Sequence, residues 1–188
     1  MVLTETSICE FGLKAPNFEL KSTDSKSFNL ENIKGENGLL VIFICNHCPY
    51  VVATIKDIVE TSIELKKYKI NTIAVMSNDP TDYPEDSFEN MIKFSQKYNF
   101  DFPYVYDEVQ SVGRKFNAVC TPDFFGYNSN LELQYRGRIY ELNNNVRPRV
   151  RAENSENELL NAMIQISKTG NGPKSQKPSM GCSIKWSK

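Results

Sequence analysis

The sequence has little net charge and no long apolar run. It has 22 basic and 23 acidic side chains and a formal net charge of −1, which argues against a general binder of nucleic acid or of membrane surfaces. Its longest apolar stretch, residues 38–45, has the length of a strand and is far shorter than the ~20 residues needed to span a bilayer. The N-terminus lacks a basic segment followed by an apolar one, so we expect no signal peptide, no membrane partner and a cytoplasmic location.

Cysteine and histidine are also scarce. Five cysteines in 188 residues are an odd number at low density, which favours catalytic or metal-binding thiols over a disulfide framework. The length suits one domain that buries about 70% of its unfolded surface. After Gly170 the composition becomes linker-like, and we therefore expect a domain over residues 1–170 and a C-terminal tail over 171–188.

Hydrophobic periodicity predicts the element order β-β-β-α-β-α-(β)-α-β-β-α. Continuous apolar runs at 39–44 and 71–76 indicate strands buried on both faces. The other predicted elements are an N-terminal hairpin within 11–38, helices over 49–68, 86–98, 108–116 and 156–168, an extended piece at 103–106, and a hairpin of 123–127 with 132–139. Early crossovers and a late hairpin imply a three-layer α/β domain with a mixed sheet.

Cys48 is the first candidate for chemistry. It follows the strand at 39–44 and precedes Pro49, where the helical pattern begins. A helix N-terminus stabilises negative charge and so favours the thiolate, which is the reactive form of cysteine. The alternative is a small buried hydrophobe at a strand end. His47, the only histidine, either supports the thiolate or is a surface spacer.

The segment Cys120-Thr121-Pro122 is the second candidate. Proline directly before a buried-looking strand is unusual, because proline cannot donate to a sheet ladder. One explanation is a cis-proline turn; the other is an ordinary turn before an edge strand.

These motifs together resemble a known family. Residues 12–20 are similar to the opening of the AhpC/TSA-type peroxiredoxins. Residues 45–51, 77–79, 83–86, 120–125 and 181–186 resemble a peroxiredoxin-like subfamily of the thioredoxin-fold superfamily. The resemblance covers nearly the whole chain and implies a thioredoxin-like α/β/α sandwich with an N-terminal β-hairpin extension.

The resemblance places Cys48 at the position of the attacking cysteine and Val51 at that of the usual resolving cysteine. The Thr that helps peroxiredoxins to bind peroxide is missing, whether Cys48 or Cys45 is taken as the reactive residue. Cys120 and Cys45 are the first candidates to resolve an intermediate on Cys48, and Cys182 in the tail is a further one. The catalytic set expected from the sequence is therefore Cys48, Cys45, Cys120 and Pro122, with Cys182 as a possible resolving residue.

The leading hypothesis is a thiol-dependent oxidoreductase with antioxidant function. Its partners would be an oxidised protein or a small-molecule disulfide or peroxide, together with a thiol reductant. We expect a monomer or homodimer without nucleic acid, bound metal or cofactor. The alternatives are a peroxide reductase, a copper-delivery-like module that binds metal through Cys45, His47 and Cys48, and a redox sensor without catalysis.

Two further expectations concern the C-terminal half. Five of the six arginines lie between Arg136 and Arg151, and we expect them on a solvated hairpin and loop. Trp186, the only tryptophan, should pack against the domain, since a lone exposed tryptophan on a loose tail is unusual.

Overall fold

A computed structural model of the chain describes residues 3–143, 145–146 and 149–187. The strands are β1 (Leu3–Glu5), β2 (Glu19–Ser22), β3 (Ser27–Asn29), β4 (Gly38–Phe43), β5 (Ile70–Met76), β6 (Tyr104–Tyr106), β7 (Cys120–Thr121), β8 (Asp123–Asn128), β9 (Leu133–Tyr135), β10 (Leu142–Asn143), β11 (Val150–Arg151) and β12 (Met180–Ser183). The helices are α1 (Leu30–Ile33), α2 (Pro49–Lys66), α3 (Phe88–Lys97), α4 (Ser111–Lys115) and α5 (Glu158–Thr169), with a 3₁₀ turn at Pro84–Asp86.

Seven strands form the central sheet in the order β3-β2-β6-β5-β4-β8-β9. The strands β4, β5 and β6 run parallel, whereas β8 pairs antiparallel with β4. The sheet is therefore mixed, as predicted from the early crossovers and the late hairpin.

Helices cover both faces of this sheet, and β4 shows why. Its even-numbered residues Leu40 and Ile42 enter the core under α2, α3 and α5, whereas Leu39, Val41 and Phe43 enter the core under α1 and α4. Side chains alternate along a strand, so a strand that is buried on both faces must be apolar throughout. The continuous apolar run of the sequence has this cause, and the three-layer α/β/α sandwich is confirmed.

A second, three-stranded sheet has the order β1-β12-β7. Strand β12 lies antiparallel between β1 and β7, with Leu3 opposite Cys182 on one side and Thr121 opposite Cys182 on the other. The sequence did not predict this sheet, because each of its strands is only two to four residues long. The boundary expected at residue 170 stays a prediction.

Most predicted elements occur with shifted ends. Helix α2 ends at Lys66, α3 begins at Phe88 and α4 covers only Ser111–Lys115. The strand predicted over 132–139 is reduced to Leu133–Tyr135. Trp186 packs against the core under α1 and α4, which confirms the expectation for it. Among the described residues no helix is long and apolar enough to cross a membrane.

Candidate thiol site

Cys48 lies where β4 leads into α2. It is the N-cap residue of α2, and Pro49 occupies the first helical turn, where a missing N–H costs no hydrogen bond. The predicted position at the helix N-terminus is therefore confirmed. The side chain of Cys48 is completely buried, although reactive cysteines are commonly part-exposed.

Strand β12 provides the cover over Cys48. The Cys48 and Cys182 sulfurs lie 2.9 Å apart, farther than the ~2.05 Å of a disulfide, so the two thiols are in hydrogen-bond contact and are not joined. Cys182 reaches this position because it pairs in register with Thr121, which precedes Pro122. The Thr121–Pro122 peptide is cis, as one of the two explanations of the motif predicted.

Hydrogen bonds and burial act in opposite directions on the pKa of Cys48. Burial raises it, but hydrogen bonds from the Cys182 and Cys45 thiols and from the backbone N–H groups of Val51 and Cys182 lower it well below the ordinary value. The contact with Cys48, and then burial, raise the pKa of Cys182. These shifts favour the Cys48 thiolate with the Cys182 thiol as proton donor. When Cys48 is instead a thiol, it donates to the Cys182 sulfur at 2.9 Å and to the Thr121 carbonyl at 3.1 Å.

Cys45 is completely buried just beyond the end of β4. Its sulfur lies 3.3 Å from the Thr121 hydroxyl. Burial, followed by the contact with Cys48, raises the pKa of Cys45 well above its ordinary value. Cys45 and Cys182 thus contact Cys48 from different elements, and both remain protonated beside it.

His47 is fixed beside this pair by two contacts. Its ring stacks on Tyr83 with centroids 4.7 Å apart, and its Nδ1 lies 2.7 Å from Oδ2 of Asp86. The contact between Nδ1 and Asp86 is an ion pair when the ring is protonated. The other ring nitrogen, Nε2, is buried without a hydrogen-bond partner among the described residues. The contact with Asp86, against the effect of burial, raises the pKa of His47 above its ordinary value and so favours the protonated ring, whose charge would support a thiolate at Cys48.

Cys120 faces another environment although it adjoins Thr121. It pairs with Ser183 on β12, and its thiol lies 3.6 Å from the Pro122 carbonyl. Neighbouring residues of a strand point to opposite sides, so Cys120 is turned away from the side on which Thr121 meets Cys45. No hydrogen bond among the described residues joins Cys120 to Cys48.

The expectation of solvated arginines is wrong for Arg136. Its side chain is only 6% exposed, and its guanidinium lies 3.1 Å from the completely buried carboxylate of Asp123. It also donates to the Asn117 carbonyl and lies over the Phe125 ring. A buried charge needs such a partner, and Asp123 follows directly on Pro122.

An open cavity of about 290 Å³ lies on the side of Pro122 that faces α2. Its apolar wall includes Tyr50, Pro122, Phe124 and Met180, and Arg138 and Lys177 contribute positive charge, whereas Glu5 and Glu141 contribute negative charge. It adjoins β12 and the first turn of α2 through Met180 and Tyr50, but neither Cys48 nor Cys182 lines it.

Two contributors to the site lay outside the sequence expectations. Asp86 belongs to the segment 83–86 that carried part of the resemblance, but nothing in its spacing indicated a contact with His47. The other is the pairing of β12 with β7, which joins residues more than 55 positions apart. Both depend on tertiary contacts between distant segments.

Comparison with known proteins shows the family and agrees with the fold. The AhpC/TSA family profile matches residues 11–141, which is well over half of the chain. None of the curated proteins matches. The structure of an uncharacterized conserved protein from Geobacillus kaustophilus is similar, with 35% identity over 100% of this chain and 97% of that chain and a TM-score of 0.90.

Two further solved structures extend the comparison. A hypothetical protein from Sinorhizobium meliloti is 32% identical over 97% of each chain, with a TM-score of 0.86. The peroxidoxin BcpB from Mycobacterium tuberculosis is 12% identical over 86% of this chain and 97% of that chain, with a TM-score of 0.61; this likeness is one of fold. Family and fold together support a thiol-dependent redox function. The chain belongs to the AhpC/TSA family.

Proposed function

We propose that this protein is a thiol–disulfide oxidoreductase in which Cys48 attacks and Cys182 resolves. The observation that carries the proposal is the 2.9 Å distance between the two sulfurs, at the N-terminus of α2. A thiolate there has a protonated second thiol within reach, so a disulfide can form with little movement of the backbone.

The reaction takes two exchange steps. The Cys48 thiolate attacks one sulfur of a substrate disulfide, forms a mixed disulfide and releases the other half of the substrate as a thiolate. Cys182 then loses its proton and attacks the Cys48 sulfur, which releases the second half. The substrate gains two electrons, the Cys48–Cys182 pair loses two, and an external thiol reductant restores the pair.

Peroxide reduction is the second candidate, and the complete burial of Cys48 favours it. A disulfide on a folded protein cannot reach a buried sulfur unless β12 moves, whereas hydrogen peroxide is nearly as small as water. Here the thiolate would take one peroxide oxygen to become a sulfenic acid, and Cys182 would then form the disulfide with loss of water. The missing Thr of the peroxiredoxin pattern weighs against fast turnover.

A disulfide map tests the resolving step. The reduced, chelator-treated protein is mixed with glutathione disulfide, quenched with acid and analysed by mass spectrometry. We expect a Cys48–Cys182 link in the wild type and, in Cys182→Ser, a glutathione adduct that stays on Cys48. A dominant Cys45–Cys48 link, or an adduct on another cysteine, would contradict the proposal.

The two candidate substrates are separated by single-turnover rates. Reduced protein is mixed in one experiment with glutathione disulfide and in another with hydrogen peroxide, and formation of the Cys48–Cys182 link is followed over time. We expect the disulfide reaction to be the faster at equal concentration. A peroxide rate that exceeds it, with a sulfenic acid trapped on Cys48 in Cys182→Ser, would replace the first candidate with the second.

A further inference from the structure

A second group of side chains lies beside the thiol pair and is not used by it. Cys45 Sγ, a ring nitrogen of His47 and a carboxylate oxygen of Asp86 all lie within 4.8 Å of one another. The three residues come from two separated segments, the β4–α2 connection and the 3₁₀ turn before α3. Their convergence therefore depends on the tertiary fold and not on local spacing.

Each of the three side chains is held in place. The backbone N–H of Asn46 donates to Oδ1 of Asp86 at 2.8 Å, and the Asn78 amide donates to Oδ2 at 2.8 Å. The stack on Tyr83 fixes the ring of His47, and the Thr121 hydroxyl contacts Cys45. Side chains that keep their positions without a ligand lose little conformational entropy when one binds.

The imidazole of His47 gives a second observation that points to a ligand, besides the convergence of the three side chains. The His47 side chain is only 11% exposed, and its Nε2 is buried without a hydrogen-bond partner among the described residues. A buried polar atom without a partner costs free energy, and coordination of a metal would offset part of that cost.

The donor set indicates the class of metal. One thiolate, one imidazole and one carboxylate are ligands of zinc and of similar borderline divalent cations, whereas magnesium and calcium take oxygen ligands. Zinc–ligand distances of about 2.0–2.3 Å place neighbouring ligand atoms roughly 3.3–3.7 Å apart. Nδ1 of His47 and Oδ2 of Asp86 are closer than that, at 2.7 Å, so binding must separate this pair and draw in the more distant ligand atoms, which lie within 4.8 Å of one another. Three protein ligands leave the fourth tetrahedral position open, close to Cys48.

We propose that Cys45, His47 and Asp86 form a binding site for zinc or a similar borderline divalent cation next to Cys48. This site differs from the Cys45, His47 and Cys48 set that the sequence suggested, because the third ligand is the carboxylate of Asp86. Binding takes the thiol proton from Cys45 and, where the imidazole is protonated, one proton from His47, and both are released to solvent.

Cobalt titration tests the site directly. The reduced protein is freed of metal with a chelator, and Co²⁺ is added without oxygen; a thiolate ligand gives a near-ultraviolet charge-transfer band and tetrahedral geometry gives strong visible bands. We expect both in the wild type, and displacement by Zn²⁺. We expect at least a tenfold weaker affinity in Cys45→Ser and in His47→Gln, in the range found when metal-site residues are replaced.

Matched variants keep the test decisive. Cys120→Ser replaces another buried cysteine, outside both the metal site and the thiol pair, and should bind cobalt as the wild type does. Circular dichroism confirms that every variant is folded. Asp86→Asn tests the third ligand. Because Asp86 also accepts two hydrogen bonds, the cobalt affinity of this variant is compared with that of the wild type only after circular dichroism has shown that the variant is folded. Absence of the thiolate band in the wild type, or its persistence in Cys45→Ser, overturns the proposal.

The outcome is independent of the proposed thiol exchange. The disulfide map is made on metal-free protein, so a Cys48–Cys182 link can form whether or not cobalt binds. Failure of cobalt binding with an intact link rejects only the metal site, and cobalt binding without the link rejects only the exchange mechanism.

Discussion

Cys182 and Cys120 are neighbours across the same pair of short strands, yet their surroundings differ completely. Cys182 on β12 lies opposite Thr121 and presents its sulfur to Cys48 at 2.9 Å. Cys120 on β7 lies opposite Ser183 and directs its thiol to the Pro122 carbonyl. Both are buried, so burial does not distinguish them.

The difference comes from the register of β12. Because the side chains of a strand alternate, a slip by one residue exchanges the two faces. In the present register Cys182 joins the core cluster that contains Cys45 and Cys48. Cys120 instead adjoins Asp123, and burial followed by that carboxylate raises the pKa of Cys120. A thiol with a raised pKa and, among the described residues, no hydrogen bond to Cys48 is suited to a structural role.

Turnover gives the strongest test of this comparison. We expect Cys182→Ser to lower the steady-state rate of glutathione disulfide reduction at least 100-fold, because only an external thiol can then release the mixed disulfide on Cys48. Cys120→Ser, the same substitution at a buried position one strand away, should stay within twofold of the wild type. Rates measured with limiting dithiothreitol as reductant, after subtraction of the rate without protein, test this prediction, and equal losses in both variants would refute the assignment of roles.

The stability of the protein should depend on pH through Asp123, the buried carboxylate near Cys120. Burial, opposed by Arg136, raises the pKa of Asp123 from 3.8 to about 6. Between these values the folded state holds a proton that the unfolded chain has released, so stability falls as pH rises from about 4 to about 6. At about 1.4 kcal/mol per pKa unit, the loss over this window is about 3 kcal/mol.

Urea unfolding at several pH values checks this prediction. Other titrating groups add their own dependence, so the quantity of interest is the wild-type slope minus the Asp123→Asn slope. The difference should be negative between about pH 4 and 6 and vanish above it. The exposed Asp82→Asn serves as control and should follow the wild type. Parallel curves for the wild type and Asp123→Asn would show that Arg136 keeps the carboxylate ionised throughout.

The position of Cys182 beside Cys48 depends on the close approach of β12 to β7 at Gly181. A Cβ at this position would lie 2.0 Å from the Thr121 carbonyl oxygen, so Gly181→Ala must push the strands apart. Overpacking of this kind costs about 2 kcal/mol, a fall in Tm of about 4–8 °C for a chain of this size. Formation of the Cys48–Cys182 link should slow as well, because Cys182 moves with the strand.

Gly12 provides a control that separates the effect of backbone strain from the effect of moving β12. Gly12 has a φ of +83°, but a Cβ there would meet nothing within 4 Å. Gly12→Ala should therefore cost about 1 kcal/mol through backbone strain alone and leave the rate of link formation unchanged. A Gly181→Ala protein that forms the link as fast as Gly12→Ala would show that the register of β12 tolerates the added methyl group.

The sequence predicted the site as far as local pattern extends. The apolar run before Cys48 and Pro49 after it are local signals, and they placed the thiol at a helix N-cap correctly. The choice among Cys45, Cys120 and Cys182 as neighbours of Cys48 depends on β12. Its four residues follow a linker-like segment and pair with residues 3–5 and 120–121, which are far away in the sequence. No periodicity within four residues specifies such distant partners.

The end of the tail provides the smallest and most specific test. The Arg114 guanidinium lies 4.5 Å from the Trp186 ring, a cation–π contact worth about 1 kcal/mol at most when part-exposed. Trp186→Phe weakens this contact and leaves Gly181 and Cys182 untouched, so Tm should fall by about 2–4 °C with the rate of link formation within twofold of the wild type. Thermal unfolding and the single-turnover assay measure the two effects separately. If Trp186→Phe slowed formation of the Cys48–Cys182 link as much as Gly181→Ala does, the position of Cys182 would depend on the packing of Trp186 and not on the pairing of β12 with β7.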